Sequence, residues 1–341
     1  MDLNGKKVVI TCGGGLGDML TFTPALRRLK EKWPECSVVF LTKYGTHEVM
    51  ARLPYVDKLA CIRRGAFMGR YRVLPDLWGA DAIVFTDWQP QLLMAARLFG
   101  IPVRAGLGRE GHKLDSCLTC HIKYDVMKET DYAALTHARI ISEGLGVDLE
   151  GDMSRLEISL PNEKESMTAE VLLREAGINP QLPYVVLSPF TSYYKRDWPL
   201  AEAGKLVNYI ERKMGMPVVA IGNDAKTQGT DIFTHSLIGN TSIMELVEII
   251  RRAACLVTPD SGPMHVGAAL GVPTVALFSK DLPSRWAPRH NCKVIYLEVS
   301  CAPCNDEEMH RCQAPICINN IRAENVFKGL QELLEVEVSK A

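Results

Sequence analysis

The sequence has no unbroken apolar run of about 18 residues, and its opening, "MDLNGKKVVITCGGG", has too brief an apolar core for a secretory signal. Neither a membrane span nor export is expected, and the protein is read as cytoplasmic. It has almost no net charge: 39 Lys and Arg against 40 Asp and Glu leave −1. No global field therefore points to nucleic acid. It has no short-period repeat and no low-complexity tract, and with 47% apolar and 23% charged residues the disordered and fibrous classes drop out. It has no Asp-x-Asp pair, so a diphosphate chelated through metal lacks the usual acids. The eleven cysteines, without an export signal, are expected as reduced thiols rather than a disulfide framework.

What the sequence has is length and alternation. At 341 residues it exceeds the usual single core, which favours two domains. In the first half, "KKVVIT" and "CSVVFLT" read as strands around a helical pattern through Leu20, Leu26 and Leu29. "ADAIVFT" and "IPVRAGL" follow as strands, and residues 131–146 as a helix. In the second half, "YVVLSPF", "MPVVAIG", "CLVTP" and "VPTVALF" alternate with helical "LAEAGKLVNYIERKMG", "SIMELVEIIRRAA" and "GPMHVGAALG". Such alternation implies α/β units, each a parallel sheet covered on both faces, with ligands beyond the carboxyl ends of the strands. The polar stretch "GVDLEGDMSRLEISLPNEKES" separates a first domain over 1–165 from a second over 166–320, followed by a helix over 321–341.

The first strand runs into "GGGLGDML". A dinucleotide fingerprint fails here, because Asp18 stands where its third glycine belongs and the next strand ends "FLTKYG" without an acid for a ribose. Two readings of Asp18 stay open. It caps the helix, whose dipole and amides would lower its pKa. Or it projects into a crevice as a general base, with Gly15 and Gly17 keeping the turn thin enough for a substrate to approach.

The second turn, "VTPDSGPMHVGAALG", is the most informative. Ser261 can cap, Pro263 suits a first helical turn and Gly271 ends the helix. The amides of Ser261, Gly262, Met264 and His265 would then form an anion site fit for a diphosphate. Asp260 would fix the turn or meet a sugar hydroxyl, and His265 either packs or donates to a phosphate oxygen. Upstream, "SPFTSYYKRDWPL" offers Ser188, Thr191, Ser192, Lys195 and Arg196. Cations there would meet the charge on a departing diphosphate, or the segment is a plain surface loop.

Two features are less specific. "CAPCNDEEMHRCQAPIC" spaces Cys301, Cys304, Cys312 and Cys317 compatibly with a structural zinc; packed reduced thiols and redox chemistry are the other readings. Between Lys43 and Leu74, seven Lys and Arg (Lys43, Arg52, Lys58, Arg63, Arg64, Arg70 and Arg72) face Glu48 and Asp57. This is a solvated face, or an attraction to an anionic acceptor or membrane surface.

Together "GGGLGDMLTFTPALRRLKEKWP", "LPYVDKL", "KRDWPL", "LIGNTSIMELVEIIRRAACLVTPDSGPMHVGAALGVPTVALFSKDLPSRWAP" and the cysteine-bearing tail resemble glycosyltransferase family 9, the lipopolysaccharide heptosyltransferases. The resemblance implies a GT-B architecture, two Rossmann-like domains facing a central cleft, with the terminal helix packing back across them. It implies inverting, metal-independent transfer of a heptose from a nucleotide diphosphate donor, usually ADP-heptose, to a lipopolysaccharide core or lipid A-linked acceptor at the cytoplasmic membrane face. No cofactor is then required, no nucleic acid is a partner, and the protein would be cytoplasmic or peripheral on the inner membrane. Asp18 matches the family's base, and Asp260, Ser261, Gly262 and His265 its helix-mouth motif. The family's lysine two places before Trp-Pro is here Arg196, with Lys195 one earlier. Its ribose-binding glutamate falls in "NDAKTQ", where Asp224 is the nearest substitute. The rivals are a nucleotide-sugar epimerase of the same architecture and a non-catalytic nucleotide-sugar-binding protein.

Overall fold

A computed structural model describes residues 2–43, 45–62, 71–122, 131–223 and 229–340. The chain divides into two units, Met1–Ser159 and Leu160–Ala341. The division precedes the helix Glu163–Glu175, whose N-cap Asn162 accepts from the Glu165 amide while Glu165 reaches back to the Asn162 amide. That reciprocal cap belongs with its helix, so residues 160–165 go with the second unit.

The first unit is a parallel sheet of β1 (Lys7–Thr11), β2 (Ser37–Lys43), β3 (Lys58–Ile62), β4 (Ala82–Phe85), β5 (Val103–Gly106) and β6 (Cys120–His121). Its strands lie in the order β3-β2-β1-β4-β5-β6. The second holds β7 (Val185–Leu187), β8 (Val218–Ala220), β9 (His235–Ser236), β10 (Cys255–Pro259), β11 (Thr274–Phe278) and β12 (Cys292–Tyr296), ordered β12-β11-β10-β7-β8-β9. Read from its far edge, the second sheet follows the path of the first: three strands outward, then a return across the start for three more. Each sheet reverses once, between β1 and β4 and between β7 and β10. At such a switch point the flanking helices diverge to opposite faces and leave a crevice beyond the carboxyl ends of the strands.

The central strands carry the cores. β7, β10 and β11 are buried throughout, and Trp198 belongs to the second core with Val185, Leu187 and Val257, its indole donating to the Ile321 carbonyl at 3.0 Å. In the first unit Val9, Val39, Leu41, Ile83 and Phe85 form the equivalent layer. Strands covered on both faces need no polar alternation, which is why they read as continuous β-branched runs. Gly215 and Gly271 end the helices Leu200–Met214 and Gly262–Leu270 at φ of 65° and 72°, the left-handed region glycine enters without strain.

The helix expected after the first turn is two helices, Leu16–Thr21 and Thr23–Lys32. Pro24 has no N–H to offer the Leu20 carbonyl, which accepts instead from the Thr23 hydroxyl at 2.6 Å. The terminal helix Ala323–Lys340 packs on the helix Leu200–Met214 and on β11 and β12 of its own unit. No helix among the described residues is long and apolar enough to cross a membrane.

Candidate functional site

At the first switch point the chain leaves β1 through Cys12 and three glycines. Gly15 is the N-cap of the helix Leu16–Thr21. Asp18 is therefore not the N-cap residue: it stands at the third helical position and its Oδ2 accepts from the Gly15 amide at 2.8 Å. Gly17 lies within the same helix. The need for glycine is steric, since a Cβ on Gly14 would sit 2.2 Å from the Asp18 Cγ. The Asp18 carboxyl lies folded against the turn, half-buried, with its hydrogen bond to Gly15 fixing where it points.

At the second switch point, Ser188 is buried just beyond β7, its amide donating to the Val257 carbonyl at 2.9 Å. Beyond β10, Ser261 is the N-cap of Gly262–Leu270, yet its hydroxyl does not cap; it pairs with the Thr258 hydroxyl at 3.1 Å. Met264, expected among the free amides, returns its N–H to the Ser261 carbonyl at 3.1 Å. Among the described residues nothing takes the amides of Ser261 and Gly262, and these two lie at the positive end of the helix dipole.

The two cations of "YYKRDW" part company. Lys195 donates to the carbonyls of Met309 and His310, at 3.4 and 2.6 Å, closing the carboxyl end of the helix Asp306–Arg311. Arg196 turns to the helix mouth: one terminal nitrogen donates to both the carbonyl and the Oδ2 of Asp260, at 2.6 and 2.9 Å, and lies 3.5 Å from Asp281. Asp260 is 7% exposed, so its charge would repel a phosphate unless neutralised, and Arg196 neutralises it. The Arg196 Nε is buried without a hydrogen-bond partner among the described residues. Thr191 is engaged within its own loop, its amide donating to Asp197 at 2.6 Å and its hydroxyl to the Tyr193 carbonyl at 2.7 Å. Ser192 is exposed on the same loop. Asp224 lies outside the described residues.

His265 is 3% exposed, edge-on to Trp286 at 6.0 Å, and its Nδ1 has no hydrogen-bond partner among the described residues. Burial pushes its pKa down to about 4, so at neutral pH the ring is an uncharged hydrogen-bonding group. The unfolded chain takes up this proton as pH falls below about 6.5 and the folded protein does so only near 4. Stability from this residue is complete above pH 6.5 and declines between 6.5 and 4, by about 3 kcal/mol in all. His265→Gln should flatten that part of the stability curve, measured by urea unfolding at pH 7 and pH 5.

The four tail cysteines do not make the zinc site their spacing allows. No group of three or more His, Cys, Asp or Glu among the described residues could hold a metal ion. Cys301, Cys304, Cys312 and Cys317 are free thiols, and burial raises the pKa of Cys304 and Cys317. Of the basic run, Arg63, Arg64 and Arg70 lie outside the described residues, as does the Lys43 side chain. Arg52 and Arg72 are exposed, and Lys58 pairs with Asp76 at 2.5 Å.

One functional candidate escaped the sequence reading. Asp87, just beyond β4, lies over Gly13, where a Cβ would meet its Oδ2 at 1.9 Å. "AIVFT" is legible as a strand, but the rule that its carboxyl end faces that of β1 needs the strand order.

The model of Glycosyltransferase family 9 (heptosyltransferase) matches residues 87–313, more than half of the chain. Among characterised relatives, Lipooligosaccharide heptosyltransferase 2 of Campylobacter jejuni is 29% identical over 31% of this chain and 33% of its own length. The match thus spans about a third of that relative. Lipooligosaccharide heptosyltransferase 2 of Haemophilus influenzae is 24% identical over 80% of this chain and 83% of its own. The crystal structure of the glycosyl transferase family 9 protein from Veillonella parvula superposes with a TM-score of 0.84 at 20% identity, covering 98% of both chains. That of E. coli ADP-heptose lps heptosyltransferase II gives 0.75 at 20% identity, over 97% of this chain and 99% of its own. The fold is theirs: two Rossmann-like α/β units of the GT-B class. With the family pattern running from the end of β4 through the helix mouth to the cysteine tail, the chain belongs to glycosyltransferase family 9 (heptosyltransferase), a family of sugar-transferring enzymes.

Proposed function

We propose that this protein moves a heptose from ADP-heptose to the inner core of lipopolysaccharide at the cytoplasmic membrane face, with inversion and without a metal cofactor. The observation that carries the reading is the helix mouth after β10, where two amides unused among the described residues stand at the start of a nine-residue helix, with the Arg196 guanidinium held at the neighbouring Asp260. The names of the relatives, among them the E. coli ADP-heptose lps heptosyltransferase, supply the sugar and the acceptor class.

In this mechanism Asp18 takes the proton of an acceptor hydroxyl as its oxygen attacks the anomeric carbon on the face opposite the nucleotide. The carbon–oxygen bond to the diphosphate breaks as the new one forms, so a single displacement inverts the centre. Amides of Ser261 and Gly262, Arg196 and the neutral His265 receive the charge that develops on the leaving diphosphate. Preorganised donors of this kind contribute most where charge appears. Asp260 holds Arg196 in place, Ser188 and Thr191 shape the floor beside it, and Asp224 is assigned to the ribose. The exposed Arg52 and Arg72 would attract the anionic acceptor, an effect that weakens with salt.

The test is a donor panel. ADP-heptose at about 100 times Kd should raise the melting temperature by on the order of 5 °C, and UDP- or GDP-sugars should not. Transfer to a lipopolysaccharide core oligosaccharide should proceed at the same rate in excess EDTA. Stabilisation by UDP- or GDP-sugars alone, release of free sugar without acceptor, or loss of transfer in EDTA would each contradict the reading.

A further inference from the structure

We propose that Asp87 is an acceptor-binding residue, its Oδ2 taking a hydrogen bond from a sugar hydroxyl neighbouring the one that reacts, beside Asp18 on the same glycine turn. The inference rests on the proposed glycosyl transfer with Asp18 as base.

The topology leads to it. β1 and β4 flank the reversal of the first sheet, and their register pairs Val8 with Ala82 and Ile10 with Val84. Continued past the strand ends, the same register sets Gly13 opposite Asp87. Hydrogen bonds hold the two exits side by side: the Thr86 hydroxyl donates to the Thr11 carbonyl at 2.6 Å, and the Thr86 amide to the Thr11 hydroxyl at 3.3 Å. Asp87 thus stands just beyond β4 in the first unit, as Asp260 stands just beyond β10 in the second.

The chemistry of that place differs between the units. Asp260 is neutralised by Arg196. Among the described residues Asp87 has no cation and its Oδ2, the oxygen over Gly13, no hydrogen-bond donor, while its Oδ1 accepts from the Gln89 side chain at 2.7 Å. An uncompensated carboxylate suits hydroxyl donors and repels phosphate, so it fits a polyol rather than a nucleotide. Asp87, Trp88 and Gln89 line one small pocket with Gly108.

Consecutive glycines serve the pair. A Cβ on Gly13 would lie 1.9 Å from the Asp87 Oδ2, and one on Gly14 would lie 2.4 Å from the Asp18 Oδ2. Each carboxylate rests against bare backbone, and the two flank a single turn.

The experiment is steady-state transfer from ADP-heptose to a delipidated lipopolysaccharide core oligosaccharide and to its singly deoxygenated versions. Asp87→Asn keeps the shape and an acceptor for Gln89. It should raise the acceptor KM roughly 10- to 100-fold, the worth of one hydrogen bond to a charged group, with donor KM and kcat within about threefold of wild type. One deoxygenated acceptor should carry the same penalty with wild type and no added penalty with Asp87→Asn. Gly13→Ala, which drives a methyl group into the Asp87 carboxylate, should reproduce the KM effect. Its own loss of thermal stability should largely vanish on an Asp87→Ala background.

An unchanged acceptor KM in Asp87→Asn, or equal sensitivity of variant and wild type to every deoxygenation, overturns the assignment while leaving the proposed transfer intact. Full kcat in Asp18→Asn overturns the base alone. No transfer by wild type to any of these acceptors removes the proposed function and the Asp87 assignment together.

Discussion

Asp18→Asn is expected to lower kcat by roughly 10² to 10⁴ while the Kd for ADP-heptose stays unchanged. The amide can still accept from Gly15, so the turn should keep its shape, and thermal stability should change little. What is lost is the ability to take a proton. A mere helix cap would show the opposite pattern, with kcat preserved and stability lowered by about 1 kcal/mol. Gly14→Ala provides a second line of attack on the same point. Its methyl group would stand 2.2 Å from the Asp18 Cγ, so the carboxyl must swing away and kcat should fall with Asp18 still present. Binding of the donor, measured by calorimetry in both variants, separates loss of chemistry from loss of fold.

Arg196→Ala is expected to act on two quantities at once. Removing the guanidinium takes from the buried Asp260 its ion pair with Arg196, and breaking a buried pair of this kind costs about 3 kcal/mol of stability, visible as a lower urea midpoint. It also removes the cation nearest the helix mouth, so the donor KM should rise roughly 10- to 100-fold. The double variant Arg196→Ala with Asp260→Asn separates these effects, because an uncharged amide no longer needs the cation. Stability should largely return while the donor KM stays high. Lys195→Ala should do neither, since that amine closes the helix Asp306–Arg311.

The strands that were legible in the sequence and those that were not differ in one physical respect. β1, β2, β4, β5, β7, β8, β10 and β11 occupy the interiors of their sheets, where, apart from β5 with its half-buried Val103 and Arg104, both faces are largely covered and the chain writes a mostly apolar run. β3, β6, β9 and β12 are the four sheet edges. Lys58–Ile62 and Cys292–Tyr296 are largely half-exposed, and β6 and β9 are two residues each. Partial exposure dilutes the run that marks a strand, so edges carry no such signal.

The site follows the same logic. The helix mouth after β10 was legible because its signals are local: a strand end, a Ser-Gly-Pro start and a stopping glycine within one stretch. Which cation serves it was not legible, for Arg196 and Asp260 meet across 64 positions of chain, and only the loop held by Thr191, Asp197 and Trp198 decides that Arg196 rather than Lys195 turns inward. Asp87 depends on strand order, a long-range property. The cysteine spacing left zinc, packed thiols and redox chemistry open, because spacing records proximity along the chain, whereas ligation needs convergence in space.

The most direct test of the account is diffraction from crystals grown with ADP-heptose. The account predicts the diphosphate against the Ser261 and Gly262 amides, with Arg196 beside it and no phosphate near the first glycine turn. A diphosphate lying along residues 13–18, with nothing at 260–265, would contradict it.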